Sequence, residues 1–429
     1  MRALLTLWKR EPILGVLAVL AVVLLVLYPV YLSLRVYIPV WTGAQDGLAD
    51  FSFYYEAAER FLRDPLALYP DPYGFMYPPP SVLLFLPLVA LPLAPSLILT
   101  VIGIALLAAA SVWLALDLYE AHRGASLPTP VRVTLLVIGL ATAPVFQNLK
   151  YGQVNVLVLF LGLMFLMLLQ RDRPFAAALV LSVGFWLKLY PLGLALLGLR
   201  RTSWRGLVAG FAVGLVLVPA LLLPFIPLEL YRQYAFDLAP YWASVTNVDA
   251  LNQSIVGVLE HVQQPIEMYL LSRDTPVGAG VKLVNLIALI GLLGGTYAAY
   301  FTGRLSRTAA GVLILAVLPV ISGLGWEHTY VLALPLFLFL LLESRELGMA
   351  ARSVAAFLLL VLMLPKLPPP QMEWTFAHWP RPVVDLFYAR FLIATLVALA
   401  VGAVWLGARK RETPRPSGRG ASNTDSVTA

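Results

Sequence analysis

Residues 12–34 of the chain read PILGVLAVLAVVLLVLYPVYLSL and contain no charged side chain. A helix needs about 20 apolar residues to cross the hydrocarbon core of a bilayer, so this stretch predicts a membrane span. It is too long for a signal peptide and has no small-residue cleavage site at its end, so we interpret it as a retained anchor. Arg2, Lys9 and Arg10 precede it, which predicts a cytoplasmic N-terminus.

The composition of the whole chain agrees with this first stretch. The 429 residues are 60% hydrophobic and only 12% charged, with a mean hydropathy of +0.83. An ordinary soluble domain carries roughly 25% charged residues. Because helices satisfy their backbone hydrogen bonds inside lipid, the sequence predicts an all-α polytopic membrane protein. The absence of cysteine excludes disulfides, thiolate metal sites and thiol nucleophiles.

Basic clusters between the apolar runs predict how the chain is threaded through the membrane. If the chain has about twelve transmembrane helices, one side of the membrane carries the basic clusters Arg171/Arg173, Arg304/Arg307 and Lys410. Positive residues favour the cytoplasm, so this side is predicted to be cytoplasmic. The net charge of +7 is then explained by topology, and no nucleic-acid partner is expected. The predicted spans are 12–34, 95–116, 131–146, 154–169, 175–187, 191–199, 206–225, 280–301, 309–322, 330–342, 353–365 and 386–406.

Residues 1–408 are therefore predicted to form a single integral-membrane domain. It has a large first extracytoplasmic loop, 35–94, in which we expect short interfacial helices, among them an apolar half-depth helix at 81–93. A second large outer loop is predicted at 226–279. The polar, Pro- and Ser-containing residues 409–429 are predicted to be a disordered cytoplasmic tail.

Two predicted spans, 175–187 and 191–199, are unusually short. They are joined by Lys188-Leu189-Tyr190-Pro191. Short helices of this kind are usually re-entrant or buried in protein, and broken helices at membrane depth are tolerated where they line a cavity. Lys188 is at the tip of the pair: it either reaches the interface as a solvated side chain or binds a lipid phosphate.

Asp50 follows the first predicted span and opens the segment DFSFYYEAAER. A carboxylate held where the chain leaves the membrane can act as a general base on a substrate that lies in or on that membrane. The alternative is that Asp50 only caps the helix that follows, since Asp is a favoured N-cap residue.

Further polar residues lie at predicted outer boundaries of the bilayer, where they are costly and often functional. Gln153 and Asn155 lie at the start of a predicted span. Their side chains either face a lumen or form hydrogen bonds with neighbouring helices. Glu327 and His328 stand together in the outer turn between two spans. The four histidines have no metal-ligand spacing, and the chain has neither a phosphate-binding P-loop nor a serine-hydrolase elbow.

These residues occur in an order that resembles glycosyltransferase family 87, within the GT-C class of membrane glycosyltransferases. The resemblance covers about residues 45–345. The matching positions are Asp50 with Phe51, Tyr54, Tyr55 and Ala58; Tyr69; Tyr77-Pro78-Pro79; Gly152-Gln153-Val154-Asn155; Lys188-Leu189-Tyr190-Pro191; Asn252-Gln253-Ser254; and Trp326-Glu327-His328.

The resemblance implies a GT-C-like fold and an inverting mannosyltransferase that uses a polyprenyl-phosphate donor on the extracytoplasmic side of a bacterial inner membrane. Asp50 is then the general base, assisted by His328 and Glu327. Substrate binding falls to Lys188, Tyr190, Gln153, Asn155, Tyr54, Tyr77, Asn252 and Gln253. The expected partners are the lipid-linked donor, a glycolipid or glycan acceptor and membrane lipids. Neither a cofactor nor a metal is implied.

Other classes of protein are compatible with many spans and intramembrane polar groups. A transporter or flippase of lipid-linked sugars fits the span count but not the large aromatic first loop. It also predicts internal repeats, which the sequence does not show. An O-antigen ligase or polymerase-like enzyme remains open because of the long loop at 226–279. A catalytically silent binding protein with the same fold is the third alternative.

The threading predicts the side of the membrane on which each loop lies. Reporter fusions at Asp50, Gly152, Asn252 and Glu327 should all read as extracytoplasmic, because positive residues favour the opposite side. Fusions at Arg173, Arg201, Arg304 and Arg411 should read as cytoplasmic. A cytoplasmic reading at Glu327 would separate it from Asp50 and exclude a shared site.

Overall fold

The structure, a computed structural model, describes residues 10–43, 49–69, 74–200, 204–247, 252–263, 274–364 and 378–408. Helices make up nearly all of the regular structure in these ranges, which confirms the all-α membrane class. The tail predicted at 409–429 lies outside the described residues.

Five helices in the described ranges are long and apolar enough to cross a bilayer, or six if one bent pair counts as a single span. The bent pair joins Thr129–Leu140 to Ala143–Tyr151 at an angle of 54°. The prediction of twelve spans is not confirmed and stays a prediction. The five long helices are Pro12–Trp41, Leu93–Arg123, Trp204–Leu222, Ala279–Phe301 and Arg390–Gly407.

Shorter apolar helices form the centre of the bundle. Almost every residue of Arg307–Ile321 and of Leu334–Leu347 is buried, which is the expected state of helices that are apolar on all sides. Such helices are enclosed by neighbouring helices and need not match the thickness of the bilayer. The other shorter helices are Asn155–Gln170, Pro174–Leu187 and Met349–Met363.

The predicted break between two short helices is present. Pro174–Leu187 ends where Lys188 adopts an extended conformation, with φ −151° and ψ 136°. A 3-10 helix, Tyr190–Gly198, follows and has Pro191 in its first turn, where the missing N–H of proline is not needed. Lys188 therefore lies at the junction of two helices that do not continue one another.

Short helices occupy the chain between the first two long helices, as predicted. They are Ala49–Arg63, Pro65–Leu68 and the mixed 3-10 and α segment Pro79–Ala90. Phe51, Tyr54, Ala58 and Phe61 recur every three or four residues along the first of these and are buried. Their packing against the segment around Tyr77 fixes the orientation of the helix that carries Asp50.

The sheet in the described ranges is a two-stranded antiparallel ribbon, Val245–Asn247 with Asp274–Pro276. Asn247 pairs with Asp274 at one end of this ribbon. The remaining helical segments are Leu228–Gln233, Tyr234–Leu238, Ala239–Ser244, Ile255–Val262, Glu327–Ala333 and Arg381–Tyr388.

Ion pairs join several segments that are distant in the sequence. Glu11, Arg345 and Arg352 belong to segments that were placed on the cytoplasmic side, and Glu11 forms ion pairs of 3.0 and 3.2 Å with the two arginines. Arg123, at the end of another long helix, contacts Glu343 at 3.6 Å. The predicted outer segments meet elsewhere, around a polar cavity.

Candidate active site

A cavity of about 520 Å³ lies where the predicted outer segments converge. Seven of the residues that line it were predicted from the sequence to be catalytic or substrate-binding. Ten further residues complete the lining: Phe53, Gly74, Met76, Gln147, Tyr151, Trp242, Asn247, Asp274, Leu324 and Trp326. The seven singled-out residues are Asp50, Tyr54, Tyr77, Gln153, Lys188, Glu327 and His328.

A larger groove of about 1130 Å³ lies between Ala279–Phe301, Arg307–Ile321 and the last long helix. Glycine, alanine and leucine dominate its lining, and Arg304 is the one charged lining residue in the described ranges. Its described lining contains no carboxylate, histidine or lysine, so the smaller polar cavity is the candidate active site.

Gly152 allows the Asp50 helix to approach the turn that follows Ala143–Tyr151. It has φ +67°, in the left-handed region, and a Cβ there would lie 2.8 Å from Cβ of Phe51. The close approach lets Nε2 of Gln153 donate a hydrogen bond of 2.7 Å to Oδ2 of Asp50. Asp50 is the second residue of its helix and therefore does not occupy the N-cap position. Its carboxylate is oriented by the hydrogen bond from Gln153.

Two tyrosines fix the orientation of the Gln153 amide. The hydroxyl of Tyr54 donates to Oε1 of Gln153 at 2.9 Å, and the Tyr54 and Tyr77 hydroxyls are 2.7 Å apart. The amide nitrogen of Gln153 is thereby left to donate to Asp50. Burial raises the pKa of Asp50, while the Gln153 hydrogen bond and the charge of Lys188 oppose that rise.

Lys188 brings a cation into the same cavity. Its ammonium donates to Oδ1 of Asn155 at 2.7 Å, and the hydroxyl of Tyr190 donates to the same oxygen at 3.0 Å. The ammonium also lies 5.4 Å from the centre of the Tyr77 ring, at cation–π distance. Burial lowers the pKa of Lys188, which stands between the two short helices, to about 8, so it is mostly protonated at neutral pH. Asn155 and Tyr190 hold Lys188 from behind the lining.

Glu327 is buried, with 3% of its surface exposed, and its two oxygens accept from three different segments. Gln147 donates at 2.9 Å, Gln253 at 3.1 Å and Arg390 at 2.9 Å. Arg390 is itself 7% exposed, so the carboxylate and guanidinium neutralise one another out of water. Arg390 was not predicted from the sequence. It lies inside the predicted span 386–406, where an arginine is costly and often functional, so its position could have identified it.

His328 presents its ring to the cavity and its backbone to the scaffold. Its carbonyl oxygen accepts from Nδ2 of Asn148 at 2.7 Å, and its ring meets that of Tyr151 edge-on with centres 6.0 Å apart. Burial lowers the pKa of His328 well below its usual value, so the imidazole is neutral at pH 7. A neutral imidazole can hold or pass a proton, but it cannot supply a positive charge to a phosphate.

Asn252 and Gln253 lie behind the lining and do not form part of it. Asn252 donates to the carbonyl of Gly323 at 3.1 Å and accepts from the N–H of Gly325 at 2.9 Å. A Cβ on Gly325 would lie 2.4 Å from the carbonyl oxygen of Pro319, so the turn before Trp326 requires glycine. The pair thus positions the Glu327 segment, and direct substrate contact by either residue stays a prediction.

No three His, Asp or Glu side chains form a group able to hold a metal ion within the described ranges. The expectation that the chemistry uses no cofactor stays a prediction.

Comparison with known protein families places the chain in context. The model of glycosyltransferase family 87 matches residues 75–324, which is more than half of the chain. Tyr77, Gln153, Lys188 and Asn252 fall inside this match, whereas Asp50 lies before it and Glu327 after it. Comparison with curated proteins found no match.

Replacing Arg390 tests whether the scaffold depends on the buried ion pair. Arg390→Met should lower the free energy of unfolding by about 3–5 kcal/mol, because it leaves the Glu327 carboxylate buried without its cation. The double variant Glu327→Gln/Arg390→Met should regain much of that loss, since no uncompensated charge remains. Chemical denaturation in detergent measures both.

Arg63→Met is the matched control for this test, because Arg63 pairs with Glu59 at 3.6 Å on an exposed surface. Such exposed pairs contribute about 0–1 kcal/mol. Equal stability of Arg390→Met and Arg63→Met would show that the Glu327 carboxylate does not need Arg390.

Proposed function

The chain belongs to glycosyltransferase family 87, and from that membership we propose a specific reaction. It transfers a mannose-like sugar from a polyprenyl-phosphate donor to a hydroxyl group of a lipid or glycan acceptor at the outer face of a bacterial inner membrane. The observation that carries the proposal is the shared cavity in which the Asp50 carboxylate and the Lys188 ammonium both lie.

Asp50 is suited to be the general base. A base works best when its pKa approaches the working pH, and burial shifts the pKa of Asp50 in that direction. Gln153 holds one carboxylate oxygen, Oδ2, which leaves Oδ1 to accept the proton of an acceptor hydroxyl. The Tyr54–Gln153 contact supports this orientation before any substrate binds.

Lys188 is suited to hold the donor phosphate. Charge that develops on a leaving phosphate is stabilised by a preorganised cation in a site with little water. Asn155 fixes the ammonium at the cavity wall, and it is neutral, so it leaves the positive charge uncancelled. The short helices on either side of Lys188 end at the cavity, and the lipid tail of a donor could pack against their apolar surfaces.

The reaction is a single displacement. The acceptor oxygen attacks the anomeric carbon of the donor sugar and forms the new glycosidic bond. The bond from that carbon to the phosphate oxygen breaks, the polyprenyl phosphate leaves with both electrons, and the hydroxyl proton passes to Asp50. One displacement inverts the anomeric configuration, so a β-linked donor gives an α-linked product.

His328 and Glu327 are given supporting roles. The neutral His328 ring lies in the cavity and can orient the acceptor hydroxyl or relay its proton. Glu327 is fully engaged by Gln147, Gln253 and Arg390, so it holds His328 in place through the shared backbone segment. No step requires a metal ion.

Asp50→Asn tests the base. The asparagine keeps the shape of the side chain but cannot take the acceptor proton, so transfer should fall about 10²–10⁴-fold. Binding of the lipid phosphate should persist, because Asp50 acts on the acceptor. The measurements are transfer from labelled polyprenyl-phosphate-mannose in nanodiscs and donor binding.

Asp237→Asn is the control for the Asp50 variant, since Asp237 is an exposed carboxylate outside the cavity, and it should transfer normally. Transfer by Asp50→Asn at the wild-type rate would remove Asp50 from the mechanism. Donor movement across the membrane without any transfer would favour the transporter alternative.

Lys188→Ala tests the phosphate contact. The variant should bind the donor more weakly by about 1.5–3 kcal/mol, the loss expected for a hydrogen bond to a charged group. Lys188→Arg should recover only part of the affinity, because a planar guanidinium does not replace a compact ammonium. Donor titrations in nanodiscs measure the affinity. Lys282→Ala, at an exposed position, is the control, and equal donor affinity in the Lys188 and Lys282 variants would exclude the phosphate role.

A further inference from the structure

The cavity has a second polar wall that the proposed chemistry does not use. Asp274 and Asn247, which pair with one another across the two-stranded ribbon, both line it. They come from the region between Trp204–Leu222 and Ala279–Phe301, whereas Asp50 and Lys188 come from other parts of the chain.

The two ribbon side chains are joined to each other. Nδ2 of Asn247 donates to Oδ1 of Asp274 at 3.1 Å. Oδ2 of Asp274 has no hydrogen-bond partner in the part of the chain that the structure describes, so the carboxylate keeps an acceptor for a ligand. Asp274 is partly buried, and this burial raises its pKa against the opposing effect of the Asn247 hydrogen bond.

The ribbon is attached to the segment that carries Glu327 and His328. The hydroxyl of Thr246 donates to the carbonyl of Gly323 at 2.8 Å. Asn252 donates to the carbonyl of Asn247 at 3.0 Å while it also holds Gly325. Hydrogen bonds therefore join the ribbon wall to the segment that leads into His328, so a group bound to the ribbon lies at a defined position relative to His328.

Aromatic side chains accompany the two polar ones. Trp242, in the helix just before the ribbon, and Trp326, beside Glu327, both line the cavity. A tryptophan ring offers a large apolar face at low entropic cost, and a carboxylate and an amide accept and donate to hydroxyl groups. A sugar ring presents both surfaces, with C–H groups on its faces and hydroxyls around its edge.

The charges on two walls of the cavity favour different ligands. The negative Asp274 disfavours a phosphate, and the positive Lys188 on another wall favours one. A polyhydroxyl group without charge suits the ribbon wall better than a lipid phosphate does.

We infer that the ribbon wall is an acceptor subsite that recognises a carbohydrate, with Asp274 and Asn247 binding its hydroxyl groups and Trp242 and Trp326 packing against its ring. This inference rests on the proposed function and makes the acceptor a glycan or the sugar head of a glycolipid. It assigns Asp274 to acceptor binding and leaves proton removal to Asp50.

Sugar binding without turnover tests the subsite. The full chain in nanodiscs is titrated with mannobiose, cellobiose and lactose, and binding is followed by saturation-transfer NMR. Tetraethylene glycol, which has hydroxyl groups but no sugar ring, is the control ligand. Wild type should bind at least one disaccharide in preference to tetraethylene glycol.

Asp274→Asn should weaken that binding about tenfold to hundredfold, the loss expected for one hydrogen bond to a charged group. Asp274→Glu keeps the charge but moves it, so it should change the order of preference among the three disaccharides. Asp237→Asn, with its exposed carboxylate outside the cavity, should bind as wild type does. All four proteins should still bind undecaprenyl phosphate, because Lys188 is unchanged in each, and this binding also shows that each one is folded.

Three results would overturn the inference. Wild type could bind no disaccharide better than tetraethylene glycol, or both Asp274 variants could bind sugars as wild type does. Asp274→Asn could also bind the sugar normally yet lose transfer at saturating acceptor, and Asp274 would then be a base and not an acceptor-binding residue. Failure of the proposed function is distinguishable, since it appears as normal transfer by Asp50→Asn while the sugar titrations are unaffected.

Discussion

The buried carboxylate of Glu327 is the constraint on which the site depends. Removing a carboxylate from water costs several kcal/mol unless a counter-charge and hydrogen bonds compensate it. Gln147, Gln253 and Arg390 supply that compensation from three segments far apart in sequence. Because each must reach the same two oxygens, they fix how those segments meet, and His328 follows Glu327 directly into the cavity.

Hydrogen bonds from neutral side chains orient the charged groups of the cavity. Gln153 has its carbonyl engaged by Tyr54, which directs its amide nitrogen to Asp50. Asn155 accepts from Lys188 and so presents the ammonium at the wall. Neutral amides thus orient the two ions without cancelling their charges. A carboxylate and a cation kept apart in one cavity are what a transfer from a phosphate donor to a hydroxyl acceptor needs.

Several parts of this arrangement were predicted from the sequence because their signals are local. The break at Lys188 followed from two short apolar runs around Pro191, and Asp50 was noticed as the acid that opens the polar segment after the first span. Arg390 and Asp274 were missed. Arg390 lies inside an apolar run, where its charge was the only signal, and Asp274 belongs to a strand whose partner, Val245–Asn247, is distant in the chain.

By itself, the sequence determined the membrane class, the glycosyltransferase family and seven of the seventeen residues that line the cavity, because hydropathy and the order of motifs are read along the chain. Only the tertiary structure decided which of them face the cavity and which support it. Asn155 and Asn252 carry the same kind of side chain as Asn247, yet Asn247 lines the cavity and the other two lie behind it. The difference depends on long-range packing, such as the approach of Phe51 to Gly152, that local patterns do not encode.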